Sequence, residues 1–152
     1  MTIKKIKTIR RLSIISIFIA SFVFVIAFII YYFVTTPTIF DRPSGLTEEI
    51  KTIEVSYINW ACDCPDFIET KYYKNNFSYK SKEEDCIFIE SANPSINVPD
   101  NFYSKGHFEK HLRLTGQFYK KIGIPKAYKQ KTSEKPDKAN VFRYYKIEII
   151  EK

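Results

Sequence analysis

The chain has 152 residues, 45% of them apolar, with 24 basic and 17 acidic side chains for a formal charge of +7. Residues 12–34, LSIISIFIASFVFVIAFIIYYFV, hold no charge at all, which excludes a purely soluble protein and leaves about 105 to 110 residues, one small domain. Five of the seven excess positive charges, Lys4, Lys5, Lys7, Arg10 and Arg11, precede that run, so the basic balance does not point to nucleic acid.

As a helix, 23 residues reach about 34 Å, enough for a hydrocarbon core of about 30 Å. The run exceeds a signal-peptide core and leaves through the bulky rings of Tyr31, Tyr32 and Phe33, which suit a membrane interface better than a cleavage site. The cations ahead of it predict a basic cytoplasmic N-terminus (residues 1–11), a single-pass signal anchor (residues 12–34) in the lipid bilayer, and an extracytoplasmic domain. The span has no acidic, basic or histidine side chain, so nothing in it suggests an ion pathway.

Residues 35–49, TTPTIFDRPSGLTEE, read as a linker by their prolines and polar composition. The domain, residues 50–152, is rich in Ile, Val, Tyr and Phe and predicts a mainly β fold. Ile53, Val55 and Tyr57 alternate with polar residues, and Ile58, Trp60 and Cys62 continue in the opposite phase, which predicts one long strand bent at a bulge near Tyr57. A second strand or hairpin is expected within Phe67 to Tyr79, around Lys74-Asn75-Asn76, and a short buried strand at Cys86 to Glu90.

Pro94, Pro99 and Gly106 limit any helix there to a brief one after Pro99, at Asp100 to Tyr103. HLRLTGQFY then places Leu112, Leu114, Gly116 and Phe118 on one face. A long loop from Lys120 to Asn140 precedes a last strand, VFRYYKIEII, with Tyr145, Ile147 and Ile149 on one side.

This order, with a bent first strand, a short helix between the third and fourth strands and a glycine inside LTGQFY, resembles an OB-fold, a small five-stranded barrel. A small β-sandwich and an α+β roll are the alternatives. WACDCPDFIE, LTGQFY and VFRYYKIEI are also similar to segments of small bacterial membrane-anchored proteins, a likeness that implies no activity.

No Gly-rich phosphate loop, GxSxG or HExxH is present. Asp63, Asp66 and Glu83-Glu84-Asp85 read as solvated loop carboxylates, and no catalytic residue is assigned. The cysteines form Cys62-Asp63-Cys64 with Cys86 further on. Outside the cytoplasm a disulfide is expected from Cys64 to Cys86, with Cys62 to Cys86 as the alternative, because the short CxC ring is strained and a loop of about 20 residues contributes about 3 kcal/mol when closed. A second possibility is a zinc or copper site from Cys62, Cys64, Cys86, His107 and His111; a third is free thiols.

Charge is unevenly placed. Residues 41–104 carry 6 basic and 12 acidic side chains, residues 105–146 carry 12 and 3. The basic loop, above all Lys126, Lys129 and Lys131, is therefore expected to meet an anionic envelope component or a membrane protein partner. The function anticipated is a tethered binding or interaction module and not an enzyme; the alternative is a metal-binding or thiol-redox protein of the envelope using the cysteines.

Overall fold

A computed structural model describes residues 3–72, 74 and 79–151. The chain divides at Thr36/Pro37 into two compact units.

The first unit is one helix, α1 (Ile3–Thr35), which takes in the basic N-terminal stretch as well as the apolar run. Within it Ser21 Oγ donates to the Phe18 carbonyl (3.0 Å) and Thr35 Oγ1 to the Tyr31 carbonyl (2.9 Å), so these hydroxyls are satisfied by the helix itself. The helix stops where Pro37 disfavours helical geometry at Thr36. Its side chains from Ile15 to Val34 are exposed around the whole circumference, Phe18, Phe22 and Phe24 among them. By length and composition it can cross a membrane.

The second unit holds a mixed sheet of six strands: β1 (Ser44–Leu46), β2 (Lys51–Tyr57), β3 (Phe67–Glu69), β4 (Cys86–Ser91), β5 (Lys110–Lys121) and β6 (Val141–Glu151). The order is β1-β5-β2-β3-β4-β6, and β5 pairs with β6 as well, so hydrogen-bonded neighbours run β5–β2–β3–β4–β6 and return to β5. β4 and β6 are parallel; the other pairs are antiparallel.

The core lies on the inward side of this sheet. Val55 from β2, Leu112 and Leu114 from β5 and Phe142 from β6 are fully buried, each contributing about 1.5–3 kcal/mol by leaving water. The short helix α2 (Asp100–Ser104) starts after Pro99 and adds Phe102, 1% exposed, to the same cluster.

Four expectations change. The first strand ends at Tyr57, and residues 58–66 leave the sheet as a loop whose base is closed by Ile58 N donating to the Asp66 carbonyl (2.7 Å), so Ile58, Trp60 and Cys62 do not continue the strand. The Phe67 to Tyr79 strand shrinks to Phe67–Glu69, followed by a turn of 3-10 helix at Thr70–Tyr72; Tyr73 and Asn75 to Ser78 lie outside the described residues.

β6 changes phase in its middle. Gly116 pairs with Tyr144 while Thr115 pairs with Lys146, so Tyr145 is the extra residue of a bulge. Phe142 and Tyr144 therefore face the core before the bulge and Ile147 packs on it afterwards, leaving Tyr145 exposed. Gly116 is required there, since a Cβ would fall 2.0 Å from the Arg143 carbonyl oxygen.

The linker expected at residues 35–49 is, from Pro37 on, part of the domain. Ser44 and Leu46 pair with Lys121 and Tyr119, Thr47 N donates to the Phe118 carbonyl, and Ile124 N donates to the Asp41 carbonyl. Gly123 admits this segment: a Cβ on it would meet Pro43 N at 2.2 Å.

Candidate functional site at two joined loops

Two loops meet, residues 58–66 after β2 and residues 122–140 between β5 and β6. Their joint is Asp63, 6% exposed. Its Oδ1 accepts from Tyr128 Oη (2.9 Å) and the Lys131 amide (2.6 Å), and its Oδ2 from the Thr132 amide (2.7 Å) and Thr132 Oγ1 (2.5 Å). Burial works to raise the Asp63 pKa, but these donors together hold it below the ordinary carboxylate value. Burial and the Asp63 carboxylate push Tyr128 above an ordinary phenol, keeping its hydroxyl a donor.

Three residues on, Asp66 receives Lys131 Nζ at 2.8 Å on both oxygens. Burial raises its pKa, with Lys131 opposing. Beside this pair lies a cavity of about 440 Å³ whose walls include Tyr57, Asp66, Glu90, Tyr103, Tyr128 and Tyr144. Tyr103 stands edge-on to Tyr57 at 5.2 Å, and Tyr128 edge-on to Phe88 at 5.1 Å. Glu90 is fixed by Tyr119 Oη (2.6 Å) and the Lys126 amide (3.1 Å). Burial pushes Tyr103 and Tyr144 above their ordinary value as well. The walls therefore offer ring faces, neutral hydroxyl donors and carboxylate acceptors, an arrangement suited to holding a polar ligand.

The loop 122–140 is held on its other side by Asp41, 5% exposed. Lys135 Nζ (2.7 Å) and Lys138 Nζ (3.0 Å) pair with it, and Thr38 donates to it through N (2.8 Å) and Oγ1 (2.9 Å). Burial acts to raise the Asp41 pKa, but the two ammonium groups and Thr38 hold it far below the usual carboxylate range.

The lysines singled out from the sequence separate accordingly. Lys131 is used within the domain, on Asp66. Lys126 and Lys129 are exposed, and neither makes an ion pair with the described residues.

The cysteines are arranged otherwise than expected. Cys62 is joined to Cys64, and neither to Cys86. The reason is the early end of β2: the two occupy a bend at residues 61–64 with their Cα atoms 5.3 Å apart, within disulfide reach. Cys86, on β4 opposite Ile68, is buried with its thiol on the Lys82 carbonyl (3.4 Å). Burial pushes that thiol up, partly offset by the neighbouring Trp60 indole, whose Nε1 is buried without a hydrogen bond of ordinary geometry.

The five-residue metal set does not assemble either. His107 Nδ1 contacts the Phe102 carbonyl (3.2 Å) with its ring edge-on to Tyr57, while His111, 6% exposed, meets Ser56 Oγ at 2.5 Å. Among the described residues, the donor atoms that do converge, within 4.8 Å of one another, are those of Cys62, Cys64 and Glu83. In the disulfide state the two sulfurs carry no thiolate to offer a metal. The Ser56–His111 pair does not line the cavity beside Asp66.

Sequence reasoning missed Asp41, Tyr128 and Thr132, and took Asp63 and Glu83 for solvated carboxylates. The position of Asp63 between two cysteines, in a loop facing a lysine-rich one, was the available signal. No protein-family model matches the chain, and no curated protein or solved structure matches it.

Proposed function

We propose that the protein is a single-pass membrane protein, N-terminus in the cytoplasm, whose extracytoplasmic domain is an OB-like barrel acting as a binding module. The helix α1 with the cations ahead of it supports the topology. The barrel reading is supported by the cyclic pairing of β2 to β6, the parallel β4–β6 pair, and α2 lying between β4 and β5. Barrels of that kind bind across one face and the loops after their first and fourth strands, here residues 58–66 and 122–140.

The observation that carries the binding role is the Asp63 joint, which fixes these two loops beside the tyrosine-walled cavity. A site preorganised in this way binds without the entropic cost of ordering its loops. Lys129, which lines the cavity, and the exposed Lys126, between its lining residues Pro125 and Ala127, favour an anionic envelope component or the acidic surface of a membrane protein. The domain's place outside the cytoplasm argues against nucleic acid.

The test uses the full chain in its own membrane, with a photo-crosslinking amino acid at Tyr103. A discrete adduct, reduced at least about tenfold in recovery by Lys126→Glu with Lys129→Glu (about 1.4 kcal/mol), is expected. Adduct recovery unchanged by charge reversal would leave the loop a solvated connector. Protease added to intact cells, or to spheroplasts, is expected to digest the domain; digestion only after lysis would reverse the topology.

A second reading rests on the convergence of Cys62, Cys64 and Glu83. Once reduced, two thiolates and a carboxylate would suit zinc, and the thiolates copper(I). Metal analysis of purified protein before and after reduction decides it: stoichiometric metal bound only after reduction supports this reading, and none in either state ends it.

A further inference from the structure

Exposed large apolar side chains on a small domain are informative when they gather with charge. Ile39 and Phe40 are adjacent in the 3-10 turn Ile39–Asp41 and are 79% and 78% exposed. Ile122, 53% exposed, belongs to the stretch that segment packs against: Ile124 N donates to the Asp41 carbonyl (2.8 Å), and Arg42 donates to the Ile124 and Pro125 carbonyls. Ile39 and Phe40, and Ile122 far from them in sequence, are thus carried on two chain segments bonded to each other.

Cations accompany them. Lys120 and Lys121 precede Ile122 and are exposed, with Lys121 paired in the sheet to Ser44. Lys138 Nζ lies 3.4 Å from the Phe40 carbonyl oxygen and is already shared with Asp41. Ile122 and Lys138 also line a cavity with Lys82, Glu83, Glu84 and Asp137; with Lys120, Lys121, Arg42, Lys135 and Asp41 counted in, six cations stand against four carboxylates and the edge keeps a net positive charge.

We propose that Ile39, Phe40 and Ile122, with Lys120, Lys121 and Lys138, form a membrane-docking edge whose apolar side chains enter the headgroup region of an anionic lipid surface. The inference rests on the single-pass reading of α1. Apolar tips among lysines are the composition of interfacial membrane contacts, where buried apolar area and attraction to anionic lipid add. Three residues lie between Thr35, the end of α1, and Ile39, so the four steps from one Cα to the other reach at most about 14 Å. That short reach keeps the lipid surface accessible to this edge.

Ile122 is the decisive position, because it is remote in sequence from the anchor. The full chain carrying Ile122→Trp with Trp60→Phe is reconstituted into vesicles of phosphatidylcholine with a minority of phosphatidylglycerol, the acyl chains brominated. Strong bromine quenching is expected at this position, together with shielding from aqueous acrylamide. The comparison is Ile149→Trp in the same background, an exposed apolar position paired with Leu112, nine residues along β5 from Lys121, which should stay unquenched.

Should Trp60→Phe impair folding, a photo-crosslinking analogue at Ile122 in the otherwise unaltered chain is expected to form phospholipid adducts. Alkaline carbonate extraction separates the two readings. A chain that resists extraction but shows no quenching and no lipid adducts overturns docking alone, and a chain that is extracted overturns the anchor and docking with it. Equal quenching in pure phosphatidylcholine would remove the lysines from the proposal.

Discussion

Two buried aspartates hold the loop 122–140, one from each side, and they do so by different physics. Asp63 is satisfied by two backbone amides and two hydroxyls, all neutral donors fixed in direction. Asp41 is satisfied by two lysine ammonium groups, with Thr38 completing the shell. Directional donors specify one loop conformation, whereas ammonium groups on long flexible stems neutralise a charge while tolerating several geometries. The side facing the cavity is held by geometry, and the side facing the docking edge by charge.

That contrast predicts unequal losses. Asp63→Ala strands two loop amides and the Tyr128 and Thr132 hydroxyls, for an expected loss of about 2–4 kcal/mol in denaturant unfolding. Asp41→Ala is expected to cost less, about 1–2 kcal/mol, because water can solvate the released lysines. Raising salt should shrink the Asp41 difference and leave the Asp63 difference nearly unchanged. Equal salt sensitivity at the two positions would erase the distinction.

Acid should act on both. Each carboxyl titrates below its ordinary value in the folded protein, so each contributes stability that is fully present above about pH 5, beyond the unfolded aspartate range near 3.9. That contribution is lost as pH falls through the folded value. Asp66 has the opposite sign: its raised pKa means that ionisation opposes folding as pH climbs from about 4. Asp63→Asn and Asp41→Asn are therefore expected to flatten the acid limb of a stability-against-pH curve, and Asp66→Asn to leave it as steep or steeper.

What the sequence disclosed follows the same division. The apolar run of α1, the alternation of Leu112 and Leu114, the buried Cys86 strand and the helix after Pro99 are all periodic or punctuated locally, and each stands in the structure. The joint at Asp63 is different. Its partners lie 65 to 69 residues away, and a carboxylate about to be buried by a distant loop has the same sequence as one left in water. Charge counting failed at Lys131 for that reason, since it cannot show which cation is already paired. The phase of β6 was hidden by a bulge that only pairing with β5 reveals, and the cysteine pairing by a strand that ends five residues before Cys62.

The thiols give a sharper version of the same lesson. One of the three cysteines is free and 3% exposed, and burial holds its thiol above the usual value. Alkylation of the native protein should therefore be slow, and denaturation without reductant should expose one thiol, with the other two appearing only after reduction. Three thiols without reductant would contradict the Cys62–Cys64 pairing.

The smallest expected effect lies on the lysines and tests whether the rim is free for a partner. Lys131→Met removes the ion pair to Asp66, a pair with the lysine one-third exposed, and should cost no more than about 1 kcal/mol. Lys126→Met and Lys129→Met break no ion pair with the described residues, so unfolding should move by less than about 0.5 kcal/mol. Partner recovery should respond in the reverse order, falling for Lys126 and Lys129 and little for Lys131, whose charge is already spent on Asp66. If Lys131→Met weakened recovery most, the Asp66 pair would have to open on binding, and the cavity would be a site remodelled by its ligand instead of one built in advance.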